Sequence, residues 1–536
     1  MLSAYQGYQL SFKSISRAQF DLICTHIKPD QVISLILSDS DDTPGQSELF
    51  FSRFQITDFT RTRMLKLINI GSASLEDICR CFREFAKYHR ISIESYNARR
   101  LSQDVLLSVA TQIKIGAPER LISCAEITSR SFAFPVCLII LRCLTISQSS
   151  MDDLKSICKL ALRLTSLKVE NLILNANEEF LLSAQQLRRL VLYCKNVPVS
   201  MNQMEQLLMN LPQLKYFEIS AKGSFDLTNG YLWESLTYKL VTFNFNFWLK
   251  IAGIEEILNS FRTLFWIERK KWFVVATRKR LFSIPHFSKK IADTYFQLPL
   301  HTTIPHGDET LLFDKVTYFI LNNSLISHQN YFRYIKTLEI KNTNSFENLS
   351  TLIDLNHVEN FILSSSMNHS TIATLMKSMP SLQQFSINTE LQKFFDQTKN
   401  LCFEQIRILE INQPIIDGNF YVIEQLVRLF PNIEILRVNS IRWKLGIARL
   451  LDKFENLWSA SFRLEKSSTP ETDIDVLSFI RNDFDVLNFI RNEIDYEKYE
   501  AFHNRCRPKS TTGQNQGKYY DFWIKKRVSF SLYYSN

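Results

Sequence analysis

Glycine and proline are scarce in this chain, at 12 and 14 of 536 residues, against a usual roughly 7% and 5%. That shortage excludes collagen-like, linker-like and glycine-loop-rich designs. Long apolar runs are also missing. The most apolar stretch, Phe132 to Leu141, covers 10 residues, whereas a membrane-spanning helix needs about 20. The amino terminus, Met1 to Arg17, has no basic start followed by an apolar core and does not read as a secretory signal. A soluble chain of the cytoplasm or nucleus is expected. The ten cysteines include no C-x-x-C pair. Most lie in apolar runs, as Cys137 and Cys143 do, and are expected to be buried free thiols. His503-x-x-Cys506 is a single pair without the second pair that zinc requires, so no metal and no cofactor are expected. Phosphate-loop, dinucleotide, nucleophile-elbow, zinc-protease and EF-hand motifs are all absent. No catalytic residue can be assigned, and no enzymatic function is expected.

What is present is a folded chain, 45% hydrophobic and 22% charged, too apolar to stay disordered. It is too long for one ordinary compact domain. Repetition accounts for the length. The pattern apolar-x-x-apolar-x-apolar occurs at Leu164 to Val169, Leu187 to Leu192, Leu214 to Ile219 and Leu240 to Phe245, with starts 23, 27 and 26 residues apart. It resumes at Val316, Ile335, Val358, Leu382, Ile406, Ile433 and Leu457, at spacings of 19, 23, 24, 24, 27 and 24. Upstream copies start at Val32, Thr62, Tyr88, Ile122 and Leu141. One copy is cheap by chance, but an even spacing near 24 is not.

Between these segments the apolar period changes from 2 to 3.6. Met201, Met204, Leu207, Leu208 and Leu211 fall on one helical face, with Ser200 as the N-cap. Leu211-Pro212-Gln213-Leu214 then ends the helix and opens the next strand, because proline disfavours helix in the residue before it. The same device recurs at Met379-Pro380 and Phe430-Pro431. A unit of strand, turn, helix and turn in about 24 residues is the leucine-rich-repeat pattern. The expected fold class is therefore α/β: a curved solenoid with a parallel sheet on its concave face, helices on its convex face and an inserted β-hairpin region.

The organisation expected is an N-terminal cap over 1–31, a first run of repeats over 32–247, a basic and aromatic insert over 248–315, a second run over 316–463, and a C-terminal helix and hairpin cap over 464–536. In the insert, aromatic and cationic residues alternate from Ser260 to Val275, which suits a hairpin with one apolar face. The net charge of +9 is concentrated there: Phe261 to Lys290 holds nine cations and one acid, Glu268. Arg269, Lys270, Lys271, Arg278, Lys279 and Arg280 are the candidate polyanion contacts, although a global bias toward nucleic acid is absent. In the tail, Val476, Phe479, Ile480 and Leu487 share helical spacing. Lys518 to Lys525 and Val528 to Tyr534 read as two strands covering the last sheet edge.

In each repeat strand the residues two, four and six places after the first apolar position are expected to face solvent on the concave sheet. They include Arg189, Val191, Tyr193, Tyr216, Glu218, Ser220, Asn244 and Asn246, and later Glu339, Ser386, Asn388, Glu410, Arg437 and Asn439. This polar surface carries tyrosine and arginine, types enriched at binding hot spots. It suits a protein partner better than a small molecule, which wants an enclosed apolar pocket. The residues selected as partner contacts are Arg189, Tyr193, Tyr216, Glu218, Asn244 and Asn246.

The repeat units, the insert with its Phe-Arg-Thr segment and Trp266 and Trp272, and the aromatic terminal hairpin together resemble F-box-associated leucine-rich-repeat proteins of the ribonuclease-inhibitor-like kind. The resemblance covers residues 32 to 534. It implies a substrate-recognition subunit of a cullin-type ubiquitin ligase, docked on a Skp-type adaptor through an F-box. Met1 to Pro29 contains no Leu-Pro, so that box is expected to be lost or to lie upstream. The first expectation is accordingly a non-enzymatic interaction protein, with the ligase subunit and a polyanion binder as alternatives.

Overall fold

The structure, a computed structural model, describes residues 8–70 except 41, 63 and 69; the strands 90–94 and 120–123; 142–464 except 147–148, 175–178, 289, 294–300, 306–307, 309, 323–330, 343–348, 416–419 and 442–443; and the strands 499–508 and 518–526.

It is a mixed α/β chain with two large sheets. The strands up to the insert are β1 (Tyr8–Ser11), β2 (Val32–Ser38), β3 (Met64–Ile68), β4 (Arg90–Glu94), β5 (Arg120–Ser123), β6 (Cys143–Ile146), β7 (Ser149–Ser150), β8 (Ser166–Val169), β9 (Leu172–Ile173), β10 (Arg189–Val199), β11 (Tyr216–Gly223) and β12 (Thr242–Trp248). The insert gives β13 (Phe273–Thr277) and β14 (Arg280–Ile284). The remainder are β15 (Ile291–Asp293), β16 (Tyr318–Asn322), β17 (Thr337–Asn342), β18 (Asn360–Leu363), β19 (Gln384–Ile387), β20 (Ile408–Ile411), β21 (Ile435–Ile441), β22 (Ser459–Leu464), β23 (Tyr499–Pro508) and β24 (Lys518–Lys526). The first sheet runs in chain order from β1 to β12, without β7 and β9, and ends on β14 and β13; the second runs from β15 to β22 and ends on β24 and β23. β7 and β9 make a separate small parallel pair.

The repeat explains this order. Each strand pairs in parallel with the next unit's strand, and the apolar positions align: Leu167 with Leu190, Leu190 with Phe217, Phe217 with Phe243. In the second sheet Leu338, Phe361, Phe385, Leu409 and Leu436 align in the same way. Leu190, Leu192, Phe217, Ile219, Phe385, Ile387, Leu436 and Val438 are all buried, as the pattern requires. Ser200 caps the helix Met201–Met209 in a capping box with Gln203, and Met201, Met204 and Leu207 face the core. The helices His369–Ser378 and Phe420–Leu429 stop just before Pro380 and Pro431. Cys24, Cys158 and Cys194 are buried, and Cys402 is exposed. Burial pushes the Cys158 and Cys194 thiols up to about 12.

Leu436 lies in the apolar core of the second sheet, among residues from several units. Leu436→Ala is expected to cost about 2–5 kcal/mol, the range for an emptied leucine site. Because each unit contacts mainly its neighbours, the lost amide protection should concentrate in β20 to β22. Urea unfolding with hydrogen exchange checks both parts.

The structure corrects the expected layout in several places. Within the segment 1–31, β1 pairs in parallel with β2 at the edge of the first sheet, and the helix Arg17–His26 follows it. β5 lies four residues before 124–127, the strand positions of the copy expected at Ile122 to Ile127. Phe265–Lys270 form a helical turn rather than hairpin strand. The insert also ends in a repeat strand, since β15 pairs in parallel with β16. β24 sits where a tail strand was expected, pairing antiparallel with β22, but its other partner is β23. The expected tail helix around Val476 to Leu487 and the strand Val528 to Tyr534 lie outside the described residues.

The hairpin β13–β14 has two apolar faces, not one. Val274, Ala276 and Leu281 belong to the core of the first sheet. Phe273, Val275, Phe282 and Ile284 belong to the core of the second. Alternation along a strand sends neighbouring residues to opposite faces, so one hairpin walls both cores. Ser283 ties it down by accepting from the Phe245 amide at 3.0 Å. At the outer edge of β13 the Thr303 amide donates to Val274 O at 2.9 Å.

The first unit also meets the last ones. Arg437 of β21 donates to Asp42 at 2.9 Å, and Trp458 packs against the core of the first units. A cavity of about 640 Å³ lies between them, lined by residues that include Ser14, Asp42, Arg407, Arg437 and Trp458.

Candidate functional site

The strongest constellation lies on the polar face of the first sheet, across β10, β11 and β12. Strand register places Arg189 beside Tyr216, Val191 beside Glu218, and Tyr193 beside Ser220; Glu218 and Ser220 in turn stand beside Asn244 and Asn246. Adjacent strands are about 4.8 Å apart, so these side chains meet. The Tyr193 hydroxyl donates to Glu218 Oε1 at 2.6 Å. The Tyr216 hydroxyl donates to Glu218 Oε2 at 2.7 Å. Asn244 donates its amide to the Tyr216 oxygen at 3.3 Å. The Arg189 guanidinium stacks over the Tyr216 ring, 3.9 Å from its centre.

The insert completes the cluster. His286, in the turn after β14, brings Nε2 to 3.2 Å from Glu218 Oε1. Arg280 of β14 donates through Nε to Asn246 Oδ1, whose amide donates to Ser220 Oγ at 2.8 Å. All six partner contacts selected from the sequence are thus brought together, joined by two insert residues.

Glu218 is only 3% exposed. Burial alone would push its carboxyl up. Hydrogen bonds from His286, Tyr193 and Tyr216 outweigh that and hold it down at about 2. Burial, and then the bond to Glu218, pushes both tyrosine hydroxyls above their ordinary value. A carboxylate with both oxygens occupied and a low proton affinity is poorly suited to proton transfer. It is well suited to fixing the two rings, and through Tyr216 the arginine above them.

The expectation that every alternate residue faces solvent needs correction here. Val191, Glu218, Ser220 and Asn246 are buried, as are Glu339 and Ser386 on the second sheet. Long side chains cover short ones: Tyr193 and Tyr216 lie over Glu218, and Arg280 reaches across to Asn246. Arg189 is exposed, and Tyr193, Tyr216 and Asn244 are half-buried.

A similar tyrosine-on-glutamate contact recurs on the second sheet, where the Tyr318 hydroxyl donates to Glu339 at 2.7 Å. From there an amide ladder crosses the strands. Ser364 donates to Glu339, Asn388 to Ser364, Asn412 to Asn388, and Asn439 to Asn412. These side chains satisfy one another along the sheet.

The six basic residues proposed from the insert do not form one patch. Lys270 donates to the carbonyls of Tyr238 and Leu240 beside the end of the helix Gly230–Thr237, and lies over the Trp272 ring. Arg280 is committed to Asn246. Arg269 and Lys271 are exposed just before β13, whereas Arg278 and Lys279 form its far turn. Five strand residues and their flanks separate those pairs by about 20 Å. His286 was not singled out from the sequence. Nine histidines are scattered through the chain, and nothing local distinguishes this one.

Among the described residues no group of three or more His, Cys, Asp or Glu is placed to hold a metal ion, and no helix is long and apolar enough to cross a membrane.

No family model matches the chain, and no curated protein matches it. Among solved structures it is similar to a leucine-rich-repeat protein of Leptospira interrogans, at 13% identity and a TM-score of 0.26, over 83% of this chain and 99% of that one.

Proposed function

We propose that this chain is a leucine-rich-repeat solenoid that acts as a non-enzymatic scaffold, binding a protein partner on the face of the first sheet that carries Arg189, Tyr193 and Tyr216. The reading is carried by one observation: two tyrosines and an arginine held in place over a buried carboxylate, with the arginine outermost. Rigid aromatic and arginine anchors are what interface hot spots are made of, because little side-chain freedom is lost on binding.

Arg189 is the best probe. Alanine at Tyr193 or Tyr216 would strip a buried carboxylate of a donor and disturb the fold. The Arg189 side chain has no hydrogen-bond or ion-pair partner among the described residues, and its replacement removes only the stacked cation. Arg189→Ala is expected to weaken partner binding by about 2 kcal/mol, roughly thirtyfold, with the melting temperature unchanged. Quantitative affinity capture from cell extract, followed by titration of each captured protein, checks this. Retention of every partner at wild-type affinity would overturn the reading.

A further inference from the structure

The same face carries a second set of groups at its far end, and together the two sets specify a partner's chemistry. β11 runs from Tyr216 to Gly223, and Tyr216, Glu218, Ser220 and Lys222 share the polar face. Lys222 is exposed and pairs in register with Trp248 of β12, itself 43% exposed. Trp248 pairs in register with Arg280, whose guanidinium lies 5.9 Å from its ring centre. An indole open to solvent and flanked by two cations therefore stands at one end of the strand. Arg189, stacked on Tyr216, stands at the other. Six residues of strand separate the ends, about 20 Å.

The charges on this face do not balance. Glu170 is taken by Lys168 at 2.7 Å. Both oxygens of Glu218 are taken by Tyr193, Tyr216 and His286. Arg280 is committed to Asn246 and to the Phe287 carbonyl. The side chains of Arg189 and Lys222 remain, each without an acceptor among the described residues.

We propose that this face binds an extended acidic peptide segment, with one carboxylate on Arg189, a second on Lys222 about six residues away, and an apolar side chain next to the second carboxylate against Trp248. The proposal rests on the protein-binding reading and deepens it. Arginine offers a carboxylate a planar two-point contact and lysine a point charge. The buried Glu218 keeps the arginine in position without competing for it.

The test is selection from a random peptide library displayed on phage, panned on the whole chain. Selected peptides are then titrated against the wild type and against Arg189→Glu, Lys222→Glu, Trp248→Ala and the hairpin-tip variant Arg278→Glu/Lys279→Glu. All these residues are exposed, and circular dichroism confirms that each variant is folded. The expected peptides carry two acids about six residues apart. Arg189→Glu and Lys222→Glu should each weaken them by roughly tenfold or more, the scale of one charge-assisted contact. The hairpin-tip variant should change them less than about twofold, and affinity should fall with salt. Peptides that depend on Arg189 but carry no acids would overturn the acidic partner and leave the binding face standing. Acidic peptides lost only on the hairpin-tip variant would move the site to the insert and overturn the proposal. A selection with no peptide sensitive to Arg189, Lys222 or Trp248 would overturn both the proposal and the reading beneath it.

Discussion

Replacing Tyr193 and Tyr216 together by phenylalanine is expected to lower the free energy of unfolding by about 3–5 kcal/mol, although both rings remain. Each hydroxyl donates to one oxygen of a carboxylate that is almost entirely buried. A hydrogen bond to a charged group contributes about 1.5–3 kcal/mol. Without the two hydroxyls Glu218 keeps only His286 among its side-chain donors. The effect carries a pH signature. The Glu218 carboxyl is held at about 2 against an ordinary 4.5, so the native state favours the ionised form more than the unfolded chain does. The stability this contributes is present above about pH 4.5 and is lost as pH falls toward 2. The shift corresponds to about 3 kcal/mol in the wild type. The double variant should begin weaker and lose less over that window. Urea unfolding from about pH 6 down to about pH 2 measures both. Equal stability of the two proteins near neutral pH, or parallel losses in acid, would contradict the proposed role of the carboxylate.

Val275→Asp is expected to be the most damaging single change in the insert, at about 5 kcal/mol or more. The site is fully buried in the core of the second sheet. Placing a carboxylate there costs several kcal/mol, and the lost valine burial adds about 1.5–3. Its neighbour Val274 faces the core of the first sheet instead. The two positions therefore separate the two cores. Val275→Asp should strip hydrogen-exchange protection first from β16 to β18, whereas Val274→Asp should strip it first from β11 and β12. Identical protection patterns in the two variants would mean that the hairpin does not divide the cores as its alternation indicates.

How far the sequence carried these conclusions depended on what each element needs. Parallel pairing of β10 with β11, or of β19 with β20, follows from apolar positions recurring about every 24 residues, because stacking is the way such units bury their strands. Ser200 was legible because a cap is a local contact. β5 was misplaced because Ile122 and Ile127 satisfy a cheap pattern, whereas the true strand has Ser123 at its last position and shows only through its pairing with β4 and β6. β15 was missed for the same reason, since Ala292 is its aligned apolar residue. β23 could not be matched to β24 from sequence, because antiparallel pairing across a long connection leaves no repeat behind.

At the site, alternation assigned Glu218 and Asn246 to the correct face but not to the correct depth. Depth depends on which neighbours lie across them, and those are long residues such as Tyr193 and Arg280. Arg280 was grouped with the other cations because charge runs are visible in sequence while their partners are not. His286 has no local signature at all. It matters because the hairpin carries it to β11, 68 positions away in sequence from its partner Glu218.

The direct test of the binding face is site-specific photo-crosslinking to partners in cell extract, with a photoreactive residue placed either at Thr242, which stands beside Tyr216 on the same face, or at Met209. Met209 ends a helix on the opposite side of the first sheet and is 68% exposed. Partner adducts formed from position 242 and not from position 209 are the predicted result; adducts from 209 with none from 242 would place the interaction on the helices and contradict the account.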